Sequence, residues 1–121
     1  MYYSKYRARK VEYNGMTFDS KKECKRYKEL ELLEANGEIR NLRRQVKYEL
    51  IPKQKLIKPI TRKGRTYKTE RAAYYTADFV YQEKENGKWV DVVEDCKGMR
   101  LDTYKLKYKL MLLKGIQIRE S

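Results

Sequence analysis

The sequence predicts an α/β domain whose main elements follow the order α-β-β-β-α-β. Two segments carry apolar residues at helical spacing, three apolar segments between them have the composition and alternation of strands, and glycine-containing turn signals separate the elements. The length of 121 residues suits a single domain, 1–121, and leaves little room for a second.

The chain starts with a basic, aromatic stretch. Residues 1–10 show no periodicity, so we expect an arm there. Val11–Phe18 follows as a short strand or turn, in which Asn14-Gly15 is a hairpin-turn signal.

The first helix is predicted to begin after Ser20, which can cap it, with Glu23 three residues further on as in a capping box. Gly37 is its natural end. The apolar residues at helical spacing are Cys24, Tyr27 and Leu30.

Three strands are predicted between the helices: Val46–Ile51, Ala73–Tyr81 and Trp89–Lys97. The first alternates as a half-buried strand does. Asn86-Gly87 predicts a tight hairpin turn between the second and the third.

A second helix is predicted near the end of the chain. Asp102 or Thr103 is expected to cap it, and Gly115 ends it. Ile116–Ile118 is short enough to be a final edge strand.

Residues 53–71 are a basic insertion, which we interpret as a protruding loop or a hairpin turning at Lys63-Gly64. The segment contains eight cations and a single acidic residue, Glu70. This excess of positive charge favours a DNA phosphate-binding surface over the other interpretation, a solvated loop. The cations are Lys53, Lys55, Lys58, Arg62, Lys63, Arg65, Lys68 and Arg71.

The charge balance points to an anionic partner. The chain has 30 Lys and Arg against 17 Asp and Glu, a net charge of +13. Nucleic acid is the default partner for such an excess. A membrane partner is not expected, since the sequence contains neither an apolar run of the ~20 residues that a membrane span needs nor an apolar secretion signal at its start.

The missing residue types exclude several kinds of site. Without histidine there is no Ser-His-Asp or Cys-His nucleophile, no histidine-based nuclease and no histidine-containing zinc site. Cys24 and Cys96 are too few for a four-cysteine zinc site or a disulfide framework. Free thiols in a reducing cytoplasm are the simpler interpretation.

The Asn86-Gly87 turn allows a register prediction. In a two-residue turn Glu85 pairs with Lys88, so the residue numbers of every further pair sum to 173. Asp78 then faces Asp95, with Cβ atoms roughly 4.5–5.5 Å apart on one face of the sheet. Lys97 points to the same face.

Two directly opposed carboxylates repel each other, and a divalent cation between them would reverse the sign of that interaction. Mg²⁺ fits because it prefers one or two carboxylates together with water and substrate phosphate. The prediction depends on the register, since a slip of one residue would move one carboxylate to the other face.

These residues resemble the PD-(D/E)xK nuclease superfamily, whose restriction-endonuclease-like core is likewise αβββαβ. Ala77-Asp78 looks like its first motif, Asp95-Cys96-Lys97 like its second, and Glu23 like the acidic residue of its first helix. The resemblance implies a mixed central sheet flanked by two helices. Ala77 replaces the superfamily's proline, and Asp95 its commoner glutamate.

The whole length is also similar to a family of small phage and prophage proteins of this superfamily, known as a domain of unknown function. The similarity is carried by Phe18–Leu33, Gln45–Leu50, Ala77-Asp78-Phe79 and Val93–Met99.

The resemblance implies phosphodiester hydrolysis. Asp78, Asp95 and the backbone carbonyl of Cys96 would hold Mg²⁺, for which Mn²⁺ can substitute. Glu23 would add a ligand or orient water, and Lys97 would position or deprotonate the attacking water. The bound metal supplies electrostatic stabilisation and an activated water, which requires no histidine.

Structural roles remain open for the same residues. A capping box with Ser20 would occupy Glu23. Asp95 and Lys97 suit a strand-end salt bridge, and Gln45, an accessory candidate, suits an ordinary polar strand start.

The expected function is a Mg²⁺-dependent endodeoxyribonuclease that selects DNA structure rather than sequence, since phosphate contacts position a protein without specifying bases. The phage-like resemblance favours branched recombination or replication intermediates, above all Holliday junctions, and junction resolution would require a homodimer. Alternatives are a single-strand or flap nuclease, a catalytically silent nucleic-acid-binding protein, and a basic structural or ribosome-associated protein.

Overall fold

A computed structural model describes residues 9–96 and 100–121. The predicted site residue 97 lies outside these ranges, as do residues 1–8, which make up most of the predicted arm. The described elements are β1 (Val11–Tyr13), β2 (Met16–Phe18), α1 (Lys21–Ala35), β3 (Ile39–Ile51), β4 (Gln54–Arg62), β5 (Arg65–Glu70), β6 (Ala73–Glu85), β7 (Lys88–Asp95), α2 (Asp102–Leu113) and β8 (Ile118–Glu120).

The ends of α1 follow the sequence signals. Ser20 is its extended N-cap, and its Oγ accepts the Glu23 N–H at 3.1 Å. At the other end Gly37 has φ +75°, a left-handed conformation that glycine adopts without strain. The Gly37 N–H donates to Glu34 and the Glu38 N–H to Leu33, which is a Schellman ending.

The central sheet has four strands in the order β3-β6-β7-β8. β3, β6 and β7 are antiparallel, and β8 pairs with β7 in parallel, so the sheet is mixed, as predicted. Without the hairpins β1–β2 and β4–β5, the order along the chain is α-β-β-β-α-β.

The predicted register of β6 and β7 is confirmed. Glu85 pairs with Lys88, and the pairing continues to Phe79 with Glu94, so that every pair sums to 173. Asn86 has φ +52° and Gly87 φ +78°, the left-handed pair that a type I′ turn requires.

The basic insertion is a hairpin, one of its two predicted forms. β4 and β5 pair with each other as a separate two-stranded sheet and turn at Lys63-Gly64. All residues of β5 are exposed, and in β4 only Leu56 and Ile60 are half-buried. The hairpin therefore contributes charged surface rather than core.

The sheet separates two apolar cores, one under each helix. Neighbouring residues of β6 alternate between them, with Tyr81 in the core of α1 and Val80 in the core of α2. The first core holds Phe18, Cys24, Leu30, Ile39, Phe79, Tyr81 and Val92. The second holds Tyr75, Ala77, Val80, Val93, Tyr104, Met111 and Ile118.

Several predicted boundaries are wrong. β3 begins at Ile39 rather than Val46, because an irregularity at Asn41 (φ +56°) hides its alternation. β6 extends past Tyr81 to Glu85, and β7 is assigned only as far as Asp95.

The start of α2 and the final strand also differ from the prediction. Leu101 is the N-cap rather than Asp102 or Thr103, and no side chain among the described residues caps the helix. The last strand begins at Ile118 because the Ile116 N–H still donates to the Met111 carbonyl in a Schellman ending.

Candidate active site

Asp78 and Asp95 meet where β7 ends. The β6–β7 ladder runs to Phe79 with Glu94, and Asp78 then accepts the Cys96 N–H on its Oδ2 at 2.8 Å. Asp95 is fully buried and Asp78 half-buried. The observed pairing of β6 with β7 ends one pair before Asp78 and Asp95, but the two carboxylates lie close enough for the charge of Asp95 to act on Asp78.

β6 changes face at Asp78. Phe79 and Tyr81 pack in the core of α1, whereas Tyr75 and Ala77 pack in the core of α2. Strict alternation would put these four odd-numbered residues on one face. Asp78 therefore lies at an irregularity in the strand rather than within a regular pleat.

β3 changes face at the same level. Arg44 lies over the Phe18 ring at 3.9 Å on the α1 side, whereas Val46 packs in the core of α2. Gln45 between them has φ +53°, which is uncommon for a residue with a side chain, and the assigned pairs skip Gln45 and Asp78 while keeping register around them. The pairing of β3 with β6 is therefore interrupted at the candidate site. Backbone strain of this kind is often found at functional sites.

Glu23 reaches this point from the first turn of α1. Its side chain is 3% exposed, its Oε1 accepts from the Gln45 amide at 3.2 Å, and Oε2 accepts the Asp19 N–H at 3.3 Å. A capping box would use the Ser20 N–H instead. Glu23 thus braces the helix start and also joins the candidate site, so its two predicted roles are compatible.

The pKa values of Asp78 and Glu23 are both raised above their usual range. Burial, followed by the negative charge of Asp95, raises the pKa of Asp78 to about 7, against the opposing effect of the Cys96 N–H. Burial likewise raises the pKa of Glu23. Grouped acids with displaced pKa values are typical of functional sites.

Tyr75 belongs to this group and was not predicted from the sequence. Its buried hydroxyl donates to Asp95 Oδ2 from the α2 side, and the Ser121 N–H donates to the Asp95 carbonyl at 3.0 Å. In the sequence Tyr75 is one of 12 tyrosines with nothing to distinguish it.

Glu94 points away from the site, as its adjacent position predicts. On the α1 side its carboxylate accepts from Arg26 Nε at 2.6 Å and from the Tyr81 hydroxyl at 2.6 Å. This ion pair between the partly exposed Arg26 and the fully buried Glu94 anchors α1 to β7 next to Asp95.

Two residues of the site, Asp78 and Asp95, carry the oxygen ligands that Mg²⁺ prefers. Within residues 9–96 and 100–121, no three or more Asp, Glu, Cys or His side chains are grouped to hold a metal ion. Magnesium needs only one or two carboxylates when water and phosphate complete its shell. Asp78 and Asp95 provide that pair, and the backbone carbonyl of Cys96 follows directly in the chain.

The predicted lysine of the site, residue 97, lies outside the described residues. A second cation, Lys22 in the first turn of α1, was not singled out in the sequence. Burial raises the pKa of the Cys96 thiol, and the positive charge of Lys22 lowers it in opposition. Lys22 is an exposed cation in the first turn of α1, and its position next to Glu23 was the available signal.

Both cysteines are free thiols in the structure, Cys24 buried and Cys96 half-buried, in agreement with the absence of a disulfide framework. None of the described helices is long and apolar enough to cross a membrane.

Every cation predicted to bind DNA in the insertion is exposed. The hairpin leaves the sheet between the end of β3 at Ile51 and the start of β6 at Ala73, and Asp78 is five residues into β6. At about 3.3 Å per residue, the base of the hairpin lies roughly 17 Å along the strand from the carboxylates.

Searches of the curated proteins and of the solved structures find no match to this chain. A family model matches residues 3–121, nearly the full length. The chain belongs to the family described as protein of unknown function (DUF1064).

Proposed function

We propose that the protein is a Mg²⁺-dependent DNA endonuclease. The observation that carries the proposal is the meeting of Asp78 and Asp95 at the end of β7, where burial and mutual repulsion favour binding of a cation. The exposed basic hairpin β4–β5, inserted between β3 and β6, supplies a surface for an anionic polymer.

The chain's residues would divide the work as follows. Asp78 and Asp95 hold the metal together with the Cys96 carbonyl, and Mn²⁺ can substitute for Mg²⁺. Bound metal would activate water and neutralise charge on the scissile phosphate. Glu23, braced by Gln45, orients water at the edge of the site.

Positive charge near the phosphate comes from two sources in this proposal. Lys97 keeps the role implied by the superfamily resemblance, positioning or deprotonating the attacking water. Lys22 adds a cation from the first turn of α1 that offsets developing negative charge.

The element order supports a restriction-endonuclease-like core. The α-β-β-β-α-β order, the mixed sheet and the placement of Asp78 and Asp95 on adjacent strands agree with the PD-(D/E)xK resemblance. Fold likeness alone would not indicate an activity, but here the acidic residues stand at the motif positions.

The proposed substrate is branched DNA, with the Holliday junction as first choice. The hairpin presents lysine and arginine, which contact phosphate and so favour recognition of DNA shape over base sequence. Symmetric resolution of a four-way junction would require two active sites and hence a homodimer acting in the host cytoplasm during phage recombination or replication.

A panel of substrates tests this proposal. Four-way junction, flap, single-stranded and linear duplex DNA are each incubated with Mg²⁺, Mn²⁺ or EDTA. Paired, metal-dependent nicks confined to the junction would support a resolvase, whereas cutting of flaps or single strands would keep the nuclease and remove the resolvase.

The competing function is a catalytically silent nucleic-acid-binding protein. It is favoured by the eight exposed cations of the basic hairpin, which can contact phosphate without a metal ion. Tight DNA binding without cleavage under any metal condition would select this function. A preference for RNA without any metal requirement would instead indicate a structural or ribosome-associated protein.

A further inference from the structure

α1 covers only part of its face of the sheet. Phe79 and Tyr81 of β6 are buried beneath it, but beyond the site the residues of β6 that point to the same side, Tyr74 and Thr76, are exposed. Asp78 lies at the boundary between the covered and the open part.

The open part continues onto β3. Lys47 pairs with Thr76 and Glu49 with Tyr74, and all four side chains are exposed. We call these four residues the open face. It begins next to Gln45 and Asp78 and ends where both strands lead into the basic hairpin.

An aromatic ring with an adjacent cation lies in the middle of the open face. Tyr74 is 38% exposed, and Lys47 Nζ lies over its ring, 4.1 Å from the centre, so that a stacked base would take the place of the ammonium group and leave it to contact a phosphate. Single-stranded nucleic acid is bound by this combination, in which a base stacks on the ring and a cation follows the backbone. Bases in an intact duplex have both faces covered by neighbours and cannot stack in this way.

The spacing suits a strand that leads to the carboxylates. Tyr74 and Asp78 are four residues apart in β6, or about 13 Å. This distance matches about four stacked nucleotides at ~3.4 Å each. The cations of the hairpin continue the positive surface on the other side of Tyr74.

We propose that the open face binds a single DNA strand, with one base stacked on Tyr74 and a phosphate beside Lys47. The inference rests on the proposed nuclease function and narrows its substrate class to DNA with unpaired nucleotides on the hairpin side of the cleaved phosphate, so that gapped, flapped and single-stranded DNA replace the fully paired Holliday junction as first choice.

The test measures DNA binding by the full chain carrying Asp78→Asn, in EDTA, so that cleavage does not interfere. Single-stranded, gapped-duplex and intact-duplex oligonucleotides are compared, with 2-aminopurine placed along the unpaired segment to report stacking. Tyr74→Leu removes the ring but keeps apolar bulk, and Tyr74→Phe keeps the ring. Lys84→Gln is the charge control for Lys47→Gln, since Lys84 is exposed at the far end of β6.

Tyr74→Leu should weaken single-strand and gapped-DNA binding about tenfold and abolish the quenching of one 2-aminopurine position. Tyr74→Phe should retain both, intact-duplex binding should be unchanged, and Lys47→Gln should weaken binding more than Lys84→Gln. The inference is overturned if Tyr74→Leu binds unpaired DNA as tightly as the parent protein, or loses duplex binding equally.

This result is independent of the proposed activity. If the wild type cleaves DNA in a metal-dependent way but Tyr74→Leu does not weaken binding of unpaired DNA, only the open-face proposal is refuted. A Tyr74-dependent single-strand complex in a protein that never cleaves would refute the nuclease and leave the open face standing.

Discussion

Two requirements conflict at Asp78. A protein interior is most stable when its side chains are neutral or paired, whereas the proposed metal site requires several negative charges close together. The carboxylate of Asp78 is half-buried, close to Asp95 and Glu23, and its main hydrogen bond comes from the Cys96 backbone. Evolution keeps such arrangements at functional sites despite their cost in stability.

Replacing Asp78 by asparagine should stabilise the metal-free protein. The pKa of Asp78 is raised to about 7 in the folded state, so the folded protein holds a proton that the unfolded chain releases. Stability therefore falls as pH rises from about 4 to about 7. In EDTA at pH 7.5, Asp78→Asn should raise the free energy of unfolding by about 1–3 kcal/mol.

Urea denaturation of both proteins in EDTA measures this difference. Asp91→Asn is the matched control, because Asp91 is an exposed carboxylate on β7 that accepts a hydrogen bond from the Gln82 amide. A destabilised Asp78→Asn protein would show that the carboxylate serves the fold rather than a site.

Glu94 should produce the opposite pH dependence. Burial raises its pKa, but hydrogen bonds from Arg26 and Tyr81 outweigh burial and leave the pKa below the usual value of 4.5. A lowered pKa means stability that is present above about pH 4.5 and lost as pH falls through the folded-state pKa. At pH 7, Glu94→Gln should cost about 1.5–3 kcal/mol, because it removes the charged hydrogen bonds between Arg26 and Glu94 and leaves Arg26 paired only with the exposed Glu29.

Denaturation at pH 7, 4 and 3 tests this prediction, with Glu85→Gln as an exposed glutamate control. The gap between wild type and Glu94→Gln should narrow toward pH 3. A gap that stays constant with pH would mean that the charge of Glu94 contributes nothing.

Among the helices and strands, the sequence correctly predicted the features that a few neighbouring residues determine, such as a tight turn or the start of a helix. Asn86-Gly87 fixed the β6–β7 register as far as Phe79 with Glu94, and Ser20 fixed the start of α1. The face change at Gln45 was not predictable, because the residues after it, Val46 to Ile51, alternate normally and give no sign of a left-handed residue before them.

The basic hairpin offers a substitution that separates turn stability from charge. Lys63 occupies the first position of its turn with φ +49°, where Asn14 and Asn86 stand in the other two hairpin turns. Asparagine tolerates this conformation better than lysine. Lys63→Asn should thus leave the hairpin at least as stable while removing one charge from its tip.

DNA titrations across salt concentrations test the charge effect. Lys63→Asn should lower the slope of log affinity against log salt by about 1. Lys88→Gln, next to the Asn86-Gly87 turn, should leave this slope unchanged. Equal slopes for wild type and Lys63→Asn would exclude the hairpin tip from phosphate contact.

At the scale of the whole molecule, fold and charge are carried by different parts. Both cores are built from residues outside the hairpin, and Ile51 pairs directly with Ala73 at its base. Replacing residues 52–72 with Asn-Gly should therefore close β3 onto β6 through a two-residue turn.

This replacement removes eight cations and one carboxylate, so the net charge falls from +13 to +6. The shortened protein should retain a cooperative unfolding transition and lose at least about tenfold in DNA affinity at low salt. Circular dichroism and DNA titration measure the two properties, and unchanged affinity would place the DNA surface elsewhere.

The most direct test of the account is cleavage of labelled four-way-junction and single-stranded DNA by wild type, Asp78→Asn and Asp91→Asn, each with Mg²⁺ and with EDTA. The account predicts Mg²⁺-dependent cleavage by wild type and Asp91→Asn, and a loss of at least about 100-fold in Asp78→Asn while DNA binding persists. Cleavage by Asp78→Asn at the wild-type rate, or no cleavage by the wild type, would contradict it.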